Sequence, residues 1–229
     1  MLLGEPRPEI SVSTENYLQA IYKLEEREQR VSITRLAEAM DVSTATSLGT
    51  VKRLTRQELV AIKKNKEISM TDRGLAIAKS VVRRHRLAER LLTEILGVEP
   101  YRSHEEAHRF EHAISEYVEK KIASLLKNPT TCPWGHPIPD SGFKSTQLIP
   151  LSQSGIDEEL IIDRIPEEDI NLLEFFDKNN VRPGTLVRTK ELANFKGTIT
   201  LMIKPMGPEE QELIIGVDVA TQILVQRKK

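Results

Sequence analysis

Proline recurs at positions 129, 133, 137, 139 and 150, so no regular helix can run through residues 127–150. Proline removes a backbone hydrogen-bond donor, and its ring clashes with the carbonyl group one turn earlier. The residues before this segment show helical periodicity, whereas those after it form short β-rich runs. We therefore predict a proline-rich linker over residues 129–150, between a helical part and a β part.

Neither membrane insertion nor secretion is indicated by the 229 residues. No apolar run approaches the roughly 20 residues that span a bilayer, and the first ten residues lack the basic start and apolar centre of a signal peptide. The one cysteine, Cys132, has no intrachain partner for a disulfide, which fits a reducing compartment. We expect a cytoplasmic protein with no membrane partner.

Helical spacing dominates the first 60 residues. A helix is predicted from Ser13 or Thr14 to about Glu28, a second over residues 32–40, and a third from Thr44 to about residue 58 with Ser43 as its N-cap. Only a short turn separates the last two helices. This is the helix-turn-helix arrangement, whose second helix enters the major groove of DNA.

Two strand-like runs, Leu59–Ile62 and Glu67–Thr71, follow and flank a basic turn, which predicts a winged helix. Lys63, Lys64 and Lys66 would then contact phosphates. Residues 31–80 carry 9 Lys/Arg against 5 Asp/Glu, a net charge of +4, which is compatible with a polyanionic partner. A small helical core that does not bind DNA remains an alternative.

The third helix provides the candidate contacts to base edges. Its early residues are mostly small, so they offer methyl and hydroxyl contacts but no bidentate Arg–guanine or Asn/Gln–adenine pair. We therefore expect modest direct readout. The candidate DNA-binding residues of this helix are Ser43, Thr44, Ala45, Thr46, Leu48, Gly49, Thr50 and Arg53.

Four of the five histidines lie between positions 85 and 112. Residues 104–126 are predicted to form one amphipathic helix with an apolar stripe and, beside it, a face of potential metal donors. The stripe comprises Ala107, Phe110, Ile114, Val118 and Leu125, and the donors are His104, His108, Glu111 and His112. His85 and Glu89 lie one turn apart on the preceding predicted helix. Imidazole and carboxylate suit borderline transition metals, and this number of donors fits two metal positions.

Residues 104–108, HEEAH, also match the H-E-x-x-H pattern of zinc hydrolases, in which Glu105 would be the general base. That alternative predicts a peptidase activity that Glu105→Gln abolishes. A catalytic zinc with an open position uses fewer donors than this cluster offers. A di-iron centre would need two E-x-x-H elements, and only Glu105-x-x-His108 is present. A purely structural metal and a histidine-rich solvated helix face remain open.

The C-terminal part is predicted to be a small β-barrel of about 75 residues. Its predicted strands are Leu160–Ile165, Thr185–Arg188, Thr198–Ile203, Glu212–Ile215 and Gln222–Val225, with a helix over Asp169–Lys178. Residues 151–229 carry 10 Lys/Arg against 14 Asp/Glu, a net charge of −4. Cys132, Trp134 and His136 precede this part. We interpret them as a packed or solvent-facing loop because neither Cys132 nor His136 has a second spaced ligand.

Four segments resemble the iron- and manganese-dependent repressors of the diphtheria toxin repressor family. They are STENYLQAIYKLEE (13–26), RRHRLAERLLTEILGV (83–98), HEEAHRFEHAISEYVE (104–119) and WGHPIPDSG (134–142), together with the winged-helix stretch. The resemblance implies a homodimer that binds a palindromic operator when Fe²⁺ or Mn²⁺ is abundant and represses metal-uptake genes. It implies no enzymatic activity and no small organic substrate.

The resemblance also implies how the metal ligands are divided. An ancillary metal site corresponds to His85, Glu89 and His104, and the primary site corresponds to Asn16, His108, Glu111 and His112. In longer members the barrel lends side chains to the ancillary metal, and Glu168 and Asn171 occupy about those positions. Two metal sites per subunit are therefore expected.

Three positions depart from the family pattern. Asn16 stands where iron regulators usually have Met and manganese regulators Asp, and His108 stands where they have Cys or Glu respectively. The loss of both sulfurs makes the site harder and favours Mn²⁺, although His-Glu-His also suits Fe²⁺, and Zn²⁺ or Co²⁺ is expected to substitute in vitro. Gly49 stands where many members carry a base-contacting Gln, so the operator preference does not transfer.

The predicted fold is mainly α with a small β part. We predict a winged helix-turn-helix domain over residues 1–74, a helical metal-binding and dimerisation domain over 75–128, the linker over 129–150 and a small SH3-like β-barrel over 151–229. The predicted function is a metal-dependent transcriptional repressor, and the zinc hydrolase is the alternative.

Overall fold

The computed structural model describes residues 10–27, 29–144, 147–193, 197–204 and 210–228. They divide into two compact units, Met1–Arg84 and His85–Lys229, which are described separately. Within the described ranges, none of the helices is both long enough and apolar enough to cross a membrane.

The first unit contains the predicted winged helix-turn-helix. Its first three helices are α1 (Val12–Glu26), α2 (Ile33–Ala39) and α3 (Thr44–Arg56), and its hairpin pairs β1 (Val60–Ile62) with β2 (Ile68–Met70) in antiparallel register. Apolar side chains from all three helices and the hairpin form one core, which includes Leu18, Ile21, Leu36, Val51, Leu54 and Ile68.

Serine side chains cap the N-termini of α1, α2 and α3. The hydroxyls of Ser11, Ser32 and Ser43 each accept a hydrogen bond from the backbone N–H three residues later, which satisfies one of the free donors at a helix start. The prediction of Ser43 as a cap is confirmed. The predicted start of α1 at Ser13 or Thr14 is wrong, because Ser11 is the cap; the predicted end at Glu28 lies outside the described residues.

The longest helix, α4 (Asp72–Arg90), continues into a π-helical turn over Leu91–Ile95. The helix predicted to carry His85 and Glu89 is therefore confirmed, with a change of helical type near its end. His85 and Glu89 lie on the last turns of α4, where both are fully buried.

Residues 104–126 do not form the single helix predicted from their periodicity. Helix α5 (Pro100–Phe110) passes into a 3₁₀ turn over Glu111–Ala113, and α6 begins after a break and covers Glu116–Leu125. Ile114 is extended at the break (φ −75°, ψ 110°). Ser115 then caps α6, because its hydroxyl accepts from the backbone N–H three residues later. A capping residue therefore overrides the periodicity.

The break divides the predicted apolar stripe. Ala107 and Ile114 are buried as predicted, whereas Phe110, Val118 and Leu125 are exposed. The five positions are apolar as the periodicity requires, but three of them face away from the core of their own unit.

The C-terminal part is an antiparallel six-stranded sheet in the order β3-β8-β4-β5-β6-β7. The strands are β3 (Ile149–Pro150), β4 (Glu159–Arg164), β5 (Leu186–Ala193), β6 (Thr198–Lys204), β7 (Gln211–Gly216) and β8 (Leu224–Arg227). Two helices accompany them, α7 (Ile170–Lys178) and α8 (Val217–Gln222). The predicted helix and β-rich runs are confirmed to within a few residues, except that β5 is longer. The strand β3 and the helix α8 have no counterpart in the prediction.

The proline-rich segment is a compact loop that packs on this second unit. A bridge joins Thr131 to Pro137, and the side chains of Cys132, Trp134 and Ile138 are buried. Cys132 and Trp134 belong to the core of the sheet. Of the two alternatives for the Cys132–His136 stretch, a packed or a solvent-facing loop, the structure has the packed one.

Gly135 is where this loop meets β4. Its φ is +89°, and a Cβ added there would lie 1.9 Å from the carbonyl oxygen of Asp163. Only glycine allows both that backbone conformation and that close approach.

We predict that Gly135→Ala destabilises the second unit because it combines a positive-φ strain with a backbone clash. Gly142→Ala is the matched control: its φ is +76°, but an added Cβ would meet nothing within 4 Å. The control should lower the free energy of unfolding by about 1 kcal/mol through strain alone, and Gly135→Ala by clearly more. Urea denaturation followed by the fluorescence of Trp134, the sole tryptophan, measures both. Equal losses would show that the loop does not need this close approach.

Candidate metal centre

The end of α4, helix α5 and the 3₁₀ turn bring six potential metal donors together in the second unit. His85 and Glu89 are spaced i, i+4 on α4, as are His104 and His108 on α5, so each pair shares a helix face. The 3₁₀ turn after α5 adds the last pair, Glu111 and His112. Each of the two helices thus presents one pair of donors on a single face, and the 3₁₀ turn adds the third pair.

Three imidazoles surround Glu111. His85 Nδ1 lies 2.5 Å from Glu111 Oε2, while His108 Nδ1 and His112 Nε2 lie 3.4 and 3.3 Å from Glu111 Oε1. Glu111 is fully buried, whereas the side chain of His108 is 40% exposed. This group, which we call the Glu111 group, is open to solvent on the His108 side.

A second group forms around Glu89. His104 Nδ1 lies 2.8 Å and His85 Nε2 lies 3.3 Å from Glu89 Oε1, and the two imidazole nitrogens are 3.1 Å apart. Glu167, from the loop after β4, offers a third oxygen: one donor atom each from Glu89, His104 and Glu167 lies within 4.8 Å of the others. This Glu89 group is buried throughout.

His85 belongs to both groups. Its Nδ1 is directed to Glu111 and its Nε2 to Glu89 and His104, and its side chain has no exposed surface. Its ring centroid lies 4.7 Å from that of His104 and 4.5 Å from that of His108. Whatever fixes one nitrogen of this ring also orients the other, so the two groups share one rigid element.

The local electrostatics favour ionised carboxylates. Burial opposes the ionisation of Glu89, but the positive charge of His85 and hydrogen bonds with His104 and His85 outweigh it, so the pKa of Glu89 lies well below its ordinary value. Burial likewise opposes the ionisation of Glu111, and hydrogen bonds with His108 and His85 lower its pKa well below the ordinary value. Both side chains therefore carry negative charge in an enclosed site.

Glu167 was not among the residues that sequence reasoning selected. Its neighbours Glu168 and Asn171 were selected instead, and both are exposed. Asn171 lines a surface cleft between α5 and α7 that also includes Tyr101. The sequence offers no signal for the difference, because the two glutamates are adjacent in a loop and only the packing selects which one is buried.

Glu167 also contacts the proline-rich loop. The Cys132 thiol donates to Glu167 Oε2 across 3.7 Å, and His136 Nε2 lies 3.6 Å from the same oxygen. The Nε2–H of His136 donates to the carbonyl oxygen of Ile165 (2.9 Å). Burial, together with the charges of Glu89 and Glu167, raises the pKa of the Cys132 thiol. Sequence reasoning did not connect Cys132 and His136 with the metal donors.

The H-E-x-x-H motif does not form a hydrolase site. The two histidines point into the cluster, but the side chain of Glu105 is 57% exposed and pairs with Arg109 (2.5 Å). A general base must reach the water that the metal activates. Glu105 lies on another face of α5, so the zinc hydrolase alternative has no support.

Asn16, the remaining candidate ligand, lies on α1 in the first unit. Its Oδ1 atom is buried and accepts no hydrogen bond from any residue in the described ranges. In the same unit, Glu15 and Arg84 form an ion pair of 2.8 Å that joins α1 to α4. Each partner of this ion pair precedes a candidate ligand in the chain: Glu15 precedes Asn16, and Arg84 precedes His85.

The candidate DNA-binding residues lie on α3 and the hairpin of the first unit. Thr44, Ala45, Leu48 and Gly49 are exposed on α3. Ser43 and Thr46 are engaged with each other in the helix cap, with Ser43 Oγ 3.1 Å from the Thr46 backbone nitrogen. Arg53 donates to Ser13 Oγ on α1 (3.4 Å). On the hairpin, Lys64 and Lys66 are exposed, whereas Lys63 pairs with Glu67 (3.3 Å).

The donor set suits a divalent transition metal. Imidazole nitrogen and carboxylate oxygen are ligands for Mn²⁺, Fe²⁺, Zn²⁺ and Co²⁺. Glu89 Oε2 is buried and accepts no hydrogen bond from any residue that the structure describes. A buried carboxylate oxygen without a donor is costly unless a cation is nearby. The Glu89 group therefore fits a bound cation.

Three family models match the chain. The model described as "Iron dependent repressor, N-terminal DNA binding domain" covers residues 9–68, and "Iron dependent repressor, metal binding and dimerisation domain" covers residues 71–140. The "FeoA domain" covers residues 149–227. The first two meet at β2, just before α4, and the third covers the C-terminal sheet.

Individual proteins resemble the chain over between half of its length and nearly all of it. The iron-dependent repressor IdeR of Mycobacterium tuberculosis is 31% identical over 96% of this chain and 99% of its own. The diphtheria toxin repressor of Corynebacterium diphtheriae is 42% identical over 56% of each chain. A solved structure described as a manganese-dependent transcriptional repressor in complex with manganese has a TM-score of 0.85 at 28% identity, covering 94% of this chain and 100% of that one.

Proposed function

The chain belongs to the iron-dependent repressor family, and we propose that it is a metal-activated repressor of metal-homeostasis genes. In this proposal a homodimer binds a palindromic operator in the cytoplasm when Mn²⁺ or Fe²⁺ is present. The observation that carries the proposal is the buried cluster of imidazoles and carboxylates between α4 and α5, in a chain that also has a winged helix.

We assign a metal ion to each of the two groups. The Glu111 group, with His108 and His112, forms the primary site, and the Glu89 group, with His85 and His104, forms the ancillary site. Nitrogen and oxygen donors predominate, which favours Mn²⁺ over metals that prefer sulfur and accommodates Fe²⁺. Zn²⁺ and Co²⁺ should substitute in vitro because imidazole also binds them well.

Glu167 is the residue of the C-terminal part that we propose for the ancillary site. Its burial beside Glu89 and His104 supports this assignment. Glu168 and Asn171, which the resemblance suggests, are exposed and would have to reorient. Cys132 and His136 contact Glu167 and would fix the orientation of its carboxylate.

In the proposed mechanism, Asn16 couples metal binding to the first unit. The buried Oδ1 of Asn16 would complete the primary site, and this would restrain α1 and, through the unit's core, α3. A bound cation would neutralise the negative charge of the carboxylates. Metal can favour DNA binding only to the extent that the metal-bound state holds α3 in a binding-competent arrangement.

The proposed DNA contacts are of two kinds. Lys64 and Lys66 on the hairpin would contact phosphates, which gives affinity without sequence preference. Lys63 would contribute less because Glu67 already pairs with it. The early residues of α3 would face the base edges in the major groove.

The proposed dimer face lies on α6. Tyr117, Val118 and Leu125 are exposed and fall within about 100° of arc at helical spacing. Lys121 lies over the Tyr117 ring at 5.5 Å within the same arc. An exposed apolar face on a helix of the matched dimerisation domain supports its burial against a second copy.

We predict that His108→Ala abolishes metal activation while leaving the fold and the metal-free DNA affinity unchanged. His108 is partly exposed, so its loss leaves the core intact, but it removes a ligand of the primary site. Fluorescence anisotropy on duplex DNA at fixed salt, with chelator and then with anaerobic Fe²⁺ or Mn²⁺, measures the effect.

Glu105→Gln is the control, because Glu105 faces solvent on the same helix and should keep the metal response. A normal metal response in His108→Ala would contradict the primary-site assignment. Unfolding of the wild type on chelation, followed by circular dichroism, would indicate a purely structural metal instead.

Glu167→Gln should weaken binding of the ancillary metal by about 10–100-fold, the range typical of lost ligands and of groups that orient them. Glu168→Gln is the matched control at the adjacent, exposed position and should have little effect. Titration of Mn²⁺ monitored by electron paramagnetic resonance counts the bound ions and their affinities. A loss in Glu168→Gln but not in Glu167→Gln would reverse the assignment.

Leu125→Glu should weaken the dimer because it places a charge in the proposed apolar interface. Lys120→Glu, on the polar part of the exposed surface of α6, is the control with the same introduced side chain. Sedimentation velocity over a range of concentrations measures both variants. A Leu125→Glu protein that dimerises like the wild type would place the interface elsewhere.

A further inference from the structure

The first helix, α1, is enclosed on two sides. One side is apolar and contributes Leu18 and Ile21 to the core of the first unit. Another face carries Glu15, Gln19 and Lys23, which are spaced four residues apart and therefore follow one line along the helix. Gln19 is 2% and Lys23 is 9% exposed. A buried polar face is unusual on a helix, because such groups lose their hydration when they are covered.

Glu15 meets Arg84 at the start of this polar face. Arg84 Nη2 donates to Glu15 Oε1 across 2.8 Å, and the side chains of Arg84 and Glu15 are only 3% and 14% exposed. The Nε–H of Arg84 also donates to the carbonyl oxygen of Ser80 on its own helix (3.3 Å), which orients the guanidinium group. The pair joins residues 69 positions apart in the chain. It therefore attaches α1 to one particular turn of α4.

A buried ion pair is better suited to fixing the position of a helix than to stabilising a fold. Removing two ionised groups from water costs about as much free energy as their attraction returns, so the net contribution to stability is small. The geometry of the pair is nonetheless demanding, because displacement of either partner leaves a charge buried without compensation. The Glu15–Arg84 pair thus favours one register of α1 against α4.

The register that the pair favours concerns candidate metal ligands. Asn16 follows Glu15 on α1, and its buried Oδ1 accepts no hydrogen bond from any residue that the structure describes. Arg84 precedes His85, the first metal donor of α4. The pair therefore attaches α1 to α4 one residue before the metal donors of α4 begin, and it does so through the residue next to Asn16.

We propose that Glu15 and Arg84 are positioning residues, which hold α1 where Asn16 can complete the primary metal site. This inference rests on the proposed function and specifies the contact on which the response of α1 to metal depends. Neither residue binds the metal in this proposal. The pair acts by restricting α1 to the arrangement in which Asn16 is available.

Loss of the pair should affect the two metal sites differently. Helix α1 would then populate other positions, and the apparent affinity of the primary site would fall in proportion to the fraction of molecules that keep the competent one. The Glu89 group takes its donors from α4, α5 and the loop after β4, so its affinity does not depend on α1. A contact needed only for folding would weaken both sites alike.

Glu15→Gln tests the pair in the full-length protein. Glutamine keeps the shape of the side chain and can still accept from Arg84, but it removes the charge. If roughly a tenth of the molecules keep the competent arrangement, Mn²⁺ binding should weaken about tenfold at the site that His108→Ala removes and stay unchanged at the other. Titration followed by electron paramagnetic resonance measures both sites. Glu38→Gln, the same change at an exposed position of α2, is the control and should alter neither.

Glu15→Gln should also lose most of the metal-dependent gain in DNA affinity. Anisotropy at fixed salt, on a duplex selected from a random library by Mn²⁺-loaded wild type, measures this gain, which we expect to be about 5–150-fold in the wild type. With chelator, Glu15→Gln should bind like Glu38→Gln, since the two variants have the same net charge. They should differ only with Mn²⁺.

Variants of Arg84 separate the role of the pair from that of either side chain alone. Arg84→Lys keeps the positive charge and should retain part of the gain, whereas Arg84→Gln should lose as much of it as Glu15→Gln. The double variant Glu15→Gln/Arg84→Gln should lose no more than either single variant, because all three remove the same interaction. Circular dichroism establishes that each variant is folded.

Either of two results would overturn the proposal. Glu15→Gln could keep the wild-type gain and the wild-type affinity at both sites, or it could weaken both sites equally, which would make the pair a purely structural contact. Failure of the proposed function is recognised separately, because the wild type itself would then bind the selected duplex equally well with chelator and with Mn²⁺.

Discussion

Two carboxylates, Glu89 and Glu111, are fully buried on either side of the His85 ring. Burying ionised groups is costly unless opposite charge and hydrogen bonds compensate. The imidazoles of α4, α5 and the 3₁₀ turn provide this compensation. The arrangement concentrates negative charge where a divalent cation would bind. The local backbone of the second unit positions these carboxylates. Helix α5 ends at Phe110, and the 3₁₀ turn then directs Glu111 inward.

The order and type of most elements can be predicted from the sequence, because each has a strong local signal. Serine caps, helical periodicity and β-rich runs specify α1 to α4, the hairpin, α7 and most of the sheet. The break between α5 and α6 is missed because the apolar spacing continues through it, whereas Ser115 competes locally as a cap. The short elements β3 and α8 carry too few residues to produce a periodic signal.

The metal site is predictable only in part. His85, Glu89, His104, His108, Glu111 and His112 share helix faces, so helical spacing alone brings them together. Glu167 comes from a loop more than 50 residues along the chain from His112, and its direction depends on how β4 packs. The loop of Cys132 and His136 approaches it only because Gly135 lies against the backbone of Asp163. Tertiary contacts of this kind leave no periodic pattern in the sequence.

In the proposed function, metal and DNA bind to the same conformational state, so their affinities must be coupled reciprocally. The most direct measurement is a titration of Mn²⁺ into the protein with and without its selected operator duplex, at one salt concentration. We predict that DNA tightens Mn²⁺ binding by the same factor by which Mn²⁺ tightens DNA binding. Mn²⁺ affinity that is identical with and without the duplex would contradict the account, and the buried cluster would then have no regulatory role.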